Sequence, residues 1–259
     1  MRHISLILLA CLVLAWQPAH AVTISTSQDL GAVPVNPGTG LLGNYYKFSS
    51  SSNIGSLSNA NVLISSSGGP TATFTTTEVC FPDCAGNSIS DSSTMTQFLN
   101  GHASNFSYTS ATQPSAIDHS AITLNGYIAI TQTGTYNFNL GSDDGSQLTI
   151  GGQQVINNDS DHGFGFVGGG ATFSQTGLYA ISITYFEDSG STGLAFFAKD
   201  PNGTCVVGLA ANCAAGSATT GLLYSTLPST ATPEPASLLI FGAGLGGLAM
   251  VRRYRRRAV

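Results

Sequence analysis

The chain has 259 residues, with 8 Lys+Arg against 13 Asp+Glu and a formal net charge of −5. Six of the bases lie at the extreme ends, so residues 22–232 keep only Lys47 and Lys199 against twelve acids, a formal charge of −10. Such a surface repels phosphate backbones and attracts cations, and without an arginine it has no guanidinium fork for a phosphate, which excludes nucleic acid as a partner.

Residues 1–21, "MRHISLILLACLVLAWQPAHA", place Arg2 and His3 before an apolar run and finish on Ala19, His20 and Ala21. Charge, apolar helix and small-x-small site in that order predict a signal helix cut by signal peptidase, better than a buried N-terminal helix. The mature chain is then expected to start at Val22, outside the cytoplasm. Residues 22–39 are polar, carry Pro34 and Pro37, and read as a leader.

From residue 40 the pattern is that of short strands. Apolar runs such as "NVLI" (61–64) and "TATFTTTEV" (71–79) are separated by Ser, Gly and Asn clusters, the punctuation of strands and turns. "TYNFNL" (135–140) alternates Tyr136, Phe138 and Leu140 with two asparagines, and "LYAISITY" (178–185) alternates Tyr179, Ile181, Ile183 and Tyr185 with smaller residues. Each predicts a strand with one buried face. Helical periodicity is weak apart from an amphipathic turn at 93–99. The expectation is an all-β, antiparallel β-sandwich over 40–225, with a last strand around 222–224 and a linker at 226–232.

Cys11 leaves with the signal helix, which leaves Cys80, Cys84, Cys205 and Cys213, an even set in an oxidising compartment. Of the three possible pairings the local one is expected, Cys80 with Cys84 and Cys205 with Cys213. Zinc is the competing reading, but neither pair has the two-residue spacing of a zinc knuckle. No tryptophan remains after Trp16, so any aromatic platform must be built from Tyr or Phe.

At 233–259 the triplet Pro233, Glu234 and Pro235 precedes an apolar stretch at 236–251 and then Arg252, Arg253, Arg255, Arg256 and Arg257. The apolar stretch is slightly shorter than the roughly 20 residues a bilayer core asks for. The arginines orient it with the preceding domain outside. This order of parts closely resembles the PEP-CTERM sorting signal of Gram-negative bacteria that make exopolysaccharide. The resemblance implies a transient transmembrane helix, recognition by an exosortase, removal of the tail, and a final place at the cell surface or in the extracellular matrix.

"GLLGNYYKF" (40–48), "LNGYIAITQTGTYNFNLGSDDGSQLTIGGQQVINND" (124–159), His162 and "TGLYAISITYFEDSGSTGLAFFA" (176–198) together resemble the protective-antigen (PA-fourteen) β-sandwich module. The likeness runs over about 40–224 and is strongest at 125–198. In its carbohydrate-binding members, neighbouring aspartates joined by a non-proline cis peptide hold a calcium ion that also bridges sugar hydroxyls. Carried over, this implies calcium on Asp143 and Asp144. Physics agrees in part: adjacent strand residues face opposite ways, so two such carboxylates serve one cation only across a bent backbone.

The second loop departs from the adhesin pattern. It reads "FEDSGSTG", with Glu187 and Asp188 and no asparagine, and makes Asp188 the candidate for a further metal ligand. A plainer reading of the first loop also stands, because Asp144-Gly145 is a common hairpin dipeptide. Catalysis has little footing. His102, His119 and His162 are scattered, and neither His-Glu-x-x-His nor Gly-x-Ser-x-Gly occurs. For His162 a structural role is expected over that of ligand or base. Two functions stay open: a calcium-dependent protein that binds an extracellular polysaccharide, or a structural matrix protein without a saccharide site.

Overall fold

The computed structural model describes residues 21–83, 85–208 and 221–227. The chain divides into two units, Met1–Thr226 and Leu227–Val259. Of the second only Leu227 is described, and the expected signal helix, sorting motif and apolar stretch lie outside the described residues. Among the described residues no helix is long and apolar enough to cross a membrane.

The elements run β1 (Val22–Ile24), β2 (Leu41–Lys47), α1 (Leu57–Ser66), β3 (Ala72–Thr76), β4 (Cys80–Phe81), β5 (Ile89–Ser90), α2 (Met95–Leu99), β6 (Ser104–Tyr108) and β7 (Ser120–Ile130). Then follow β8 (Gly134–Asp143), β9 (Ser146–Ile150), β10 (Gln153–Asn158), β11 (Gly165–Phe173), β12 (Gly177–Glu187), β13 (Ser191–Lys199), β14 (Cys205–Val207) and β15 (Leu223–Tyr224). They build two sheets. The first has the order β1-β11-β8-β13-β14, with β4 and β5 also on β13; the second has β10-β9-β12-β7-β2-β3-β6, with β15 on β7. Every pairing between them is antiparallel except β1 with β11.

The sandwich follows from the period-two patterns. Tyr136, Phe138 and Leu140 of β8 are fully buried, as are Tyr179, Ile183 and Tyr185 of β12, so the two sheets face each other across these residues. Phe138 stacks on Phe196 of β13 at 6.2 Å, and Phe173 meets Tyr136 edge-on at 5.5 Å. Burying each large apolar side chain contributes about 1.5–3 kcal/mol. The unit Met1–Thr226 therefore holds its own core and can fold alone.

Two segments differ from the sequence reading. The run at 61–64 lies inside α1 and is not a strand. Ser56 caps that helix by accepting the Asn59 N–H, and Leu57 and Ala60 pack beside Ile54, Ala121 and Phe186. A four-residue apolar run carries no period of its own, and the Ser and Asn around it are poor helix formers, so cap and packing decided. The start of the leader is also part of the sandwich. Val22–Ile24 form an edge strand with Ala171–Phe173, and Leu30 N–H donates to the Leu178 carbonyl. The amphipathic turn does become α2, with Thr94 and Gln97 as a capping box.

Candidate functional site

Four pieces of chain meet around Asp143 and Asp144: the end of β8, the end of β12, the loop between β10 and β11, and the segment before β5. The two aspartates are 6% and 2% exposed, and the peptide bond between them is cis. Neutral donors hold both carboxylates. Ser88 Oγ donates to Asp143 Oδ2 at 2.8 Å, and the Phe164 N–H also reaches that carboxylate. Asp144 Oδ1 accepts the His162 N–H at 3.1 Å, and its Oδ2 accepts the Asp188 N–H at 2.9 Å.

Among the described residues no lysine or arginine balances this pair. Lys47 Nζ is committed to Asp118 Oδ1 at 2.6 Å, and Lys199 stands opposite Asn137 in the strand register, at the other end of β8. Burial pushes Asp143 above the usual carboxylate range, against the bonds from Ser88 and Phe164. Burial, with Asp161 adding its charge, pushes Asp144 up to about 7 despite the Asp188 and His162 N–H groups. Fully buried Glu187 is pushed up to about 9, by burial first and then by the charges of Asp144 and Asp143.

Tyr185 joins Glu187 to the pair. Its hydroxyl lies 2.6 Å from the Asp143 carbonyl, 3.0 Å from Glu187 Oε2 and 2.6 Å from Thr192 Oγ1. The phenol has one proton and the Asp143 carbonyl can only accept, so that proton goes to Asp143. Glu187 Oε2 is the other acceptor within reach of that proton. Glu187 Oε1 has no hydrogen-bond partner.

The expected further ligand is placed differently from the pair. Asp188 gives Asp144 its N–H, while its carboxylate stands 3.6 Å from His119 Nε2. Among the described residues no group of three or more His, Cys, Asp or Glu side chains is arranged to hold a metal ion. The pair itself suits a hard cation: its donors are all oxygen, and its charge is unbalanced among the described residues. Further ligands would have to be carbonyl or amide oxygens.

Hairpin chemistry does not account for Asp144-Gly145. β8 pairs with β11 and β13 in one sheet, whereas β9 pairs with β10 and β12 in the other, so the dipeptide crosses between sheets. Gly145 does not have the positive φ of a type I′ turn. It is required for closeness instead, since a Cβ there would stand 2.3 Å from the Phe186 ring.

His162 lies beside the pair. Its N–H fixes Asp144, and its ring nitrogens approach the carbonyls of Gly163 at 2.8 Å and Asn158 at 3.4 Å. His102 pairs with Glu78 at 2.8 Å, away from the pair in sequence and in partners. Cys80 and Cys205 are buried, and their expected partners Cys84 and Cys213 lie outside the described residues. The sequence reading missed Asp161, Ser88, Tyr185 and Thr192, because nothing in their spacing sets a distance to Asp144.

The model of the PA14 domain family matches residues 100–200, and that of the PEP-CTERM protein-sorting motif matches residues 231–257. No curated protein matches the sequence. Among solved structures, the PA14 domain of the MpAFP antifreeze protein is similar at a TM-score of 0.55 and 23% identity, over 78% of this chain and 98% of that one. The PA14 sugar-binding domain from an RTX adhesin is similar at a TM-score of 0.53 and 23% identity, over 66% and 94% of the two chains. At that identity the likeness speaks for the fold. The protein thus carries a PA14 β-sandwich domain followed by a PEP-CTERM protein-sorting motif, the mark of an exported protein sorted to the cell surface.

Proposed function

We propose that the protein binds carbohydrate with calcium held at Asp143 and Asp144, and acts by adhesion rather than catalysis at the cell surface or in the biofilm matrix of a Gram-negative bacterium. Signal peptidase would free it at Val22. An exosortase would then take the inner-membrane intermediate at Pro233, Glu234 and Pro235 and remove the arginine-ended tail, and the local cysteine pairs would close in that oxidising space.

One observation carries the site reading: two adjoining carboxylates are buried together, oriented by neutral donors, with no lysine or arginine among the described residues to balance them. Bound calcium supplies a hard positive centre for carboxylate, carbonyl and hydroxyl oxygens. The chain's part is to aim the two carboxylates and keep water away. Asp188 would join only by leaving His119. The sugar-binding description of the RTX adhesin's PA14 domain supports the ligand class.

The test is calcium titration and thermal melting of residues 22–226. Calcium at about a hundred times its Kd adds about 2.7 kcal/mol, and at about 2–4 °C per kcal/mol for a domain of this size the melting temperature rises by about 5–10 °C. Asp143→Asn with Asp144→Asn is expected to abolish the rise. Heat-silent titration at millimolar calcium overturns the site. A glycan array with and without chelator then separates the two functions, since a matrix protein without a saccharide site leaves it blank while calcium still binds.

A further inference from the structure

The outer face of the first sheet carries an aromatic strip that begins at the acid pair. Residues opposite each other in an antiparallel pair share a face. Phe166, Gly141 and Ala195 therefore form one row across β11, β8 and β13, and Gly168, Asn139 and Phe197 form the next. The row after that holds Asn137 and Lys199, and the row before it Asp143 and Gly193. This is the side opposite the core, since Tyr136, Phe138 and Leu140 on β8 point inward and are fully buried.

Phe166 is 42% exposed, and Phe164 and Phe197 are half-buried. The Phe166 ring meets Phe164 at 5.3 Å and Phe197 at 5.6 Å, so the three rings run as one strip over β8. Gly141 makes that possible. A Cβ there would stand 2.7 Å from the Phe166 ring and 2.8 Å from that of Phe164, and would lift both from the sheet. Phe164 ties the strip to the acid pair, because its own N–H reaches the Asp143 carboxylate. Past the rings, exposed Asn137 and half-buried Asn139 offer amide donors and acceptors.

We infer that this face is a track for a neutral polysaccharide chain, continuing from the residue bound at Asp143 and Asp144. The inference rests on the carbohydrate reading above and extends it from a single sugar to an oligosaccharide. Aromatic faces suit the apolar faces of sugar rings, and amides suit their hydroxyls. From Asp143 to Asn137 the strand covers about 20 Å, at roughly 3.3 Å per residue. Between Asp143 and Lys199 the rows carry no charge, which disfavours an ionic ligand. A polyanionic chain is disfavoured again by the −10 charge of residues 22–232.

Isothermal titration of residues 22–226 in calcium tests it, with glucose, mannose and galactose and their linear hexasaccharides as probes. For at least one sugar, the hexasaccharide is expected to bind at least tenfold more tightly than its monosaccharide. Phe166→Ala and Phe197→Ala each remove most of that advantage, and Phe166→Trp keeps it. Calcium titration of the same variants reports whether the acid pair is intact. Equal affinity for one unit and six, or an advantage that survives both alanine variants, overturns the track while the carbohydrate reading stands. Hexasaccharide binding unaffected by chelator keeps the track and removes calcium. If no probe binds, both fall.

Discussion

Glu187 is the side chain on which pH acts most directly. Burial raises its folded-state pKa from the ordinary value of 4.5 to about 9, and that of Asp144 from 3.8 to about 7. An acid whose folded pKa is raised favours the fold while it is protonated in both states. The unfolded chain gains by ionising first, so stability is lost as pH rises from the unfolded value to the folded one. Both groups contribute between pH 4 and 7, and the slope from 7 to 9 belongs to Glu187. In chelator, melting temperature is therefore expected to fall across pH 7–9, and Glu187→Gln to flatten that fall. The variant melts a few degrees above wild type at pH 9, about 2–4 °C for each kcal/mol regained, and the gap narrows toward pH 5. A parallel pair of melting curves over this range would contradict the burial argument. The acid pair was legible in the sequence as two letters in a row, but its coupling to Glu187 runs through Tyr185 and Thr192, which only folding brings together.

The strands with strict alternation were readable because their environment is two-sided. The middle of β8 and of β12 has a buried and a more open face, while Leu140–Asp143 and Tyr185–Glu187 are buried on both, and the side-chain period follows from the backbone alone. β1 was not readable, since three residues cannot show a period. Its place comes from Ile24, 1% exposed against β11. Ile24→Ala should then cost about 2–5 kcal/mol, as for a core residue and not a leader, measured by urea unfolding of residues 22–226. β1 starts at Val22, the residue expected to follow signal-peptide cleavage. The link between β8 and β9 makes a similar point. Asp144-Gly145 looks like a hairpin, yet the strands it joins lie in different sheets and the glycine is needed against Phe186. Gly145→Ala is expected to destabilise by about 1–3 kcal/mol through that contact, and a neutral result would mean that Phe186 has room to move.

At the scale of the molecule, the acid excess sets how cations approach. Twelve acids against two lysines make a field that concentrates divalent ions near the sandwich. Its reach is about 30 Å at 0.01 M salt and about 3 Å at 1 M. Calcium affinity of residues 22–226 is accordingly expected to weaken severalfold as sodium chloride rises between those limits. An affinity independent of salt would mean that the local pair alone sets binding. Composition, cysteine number, alternating strands, the two resemblances and the sorting segment could all be read from the chain itself, because each is a local pattern of residue types. What only the tertiary structure decided is which distant residues face one another: Ser88, Asp161 and Glu187 around Asp143 and Asp144, and Phe164, Phe166 and Phe197 in one strip beside them. Distances across a sandwich are set by strand order and register, and neither is written in any short stretch of sequence.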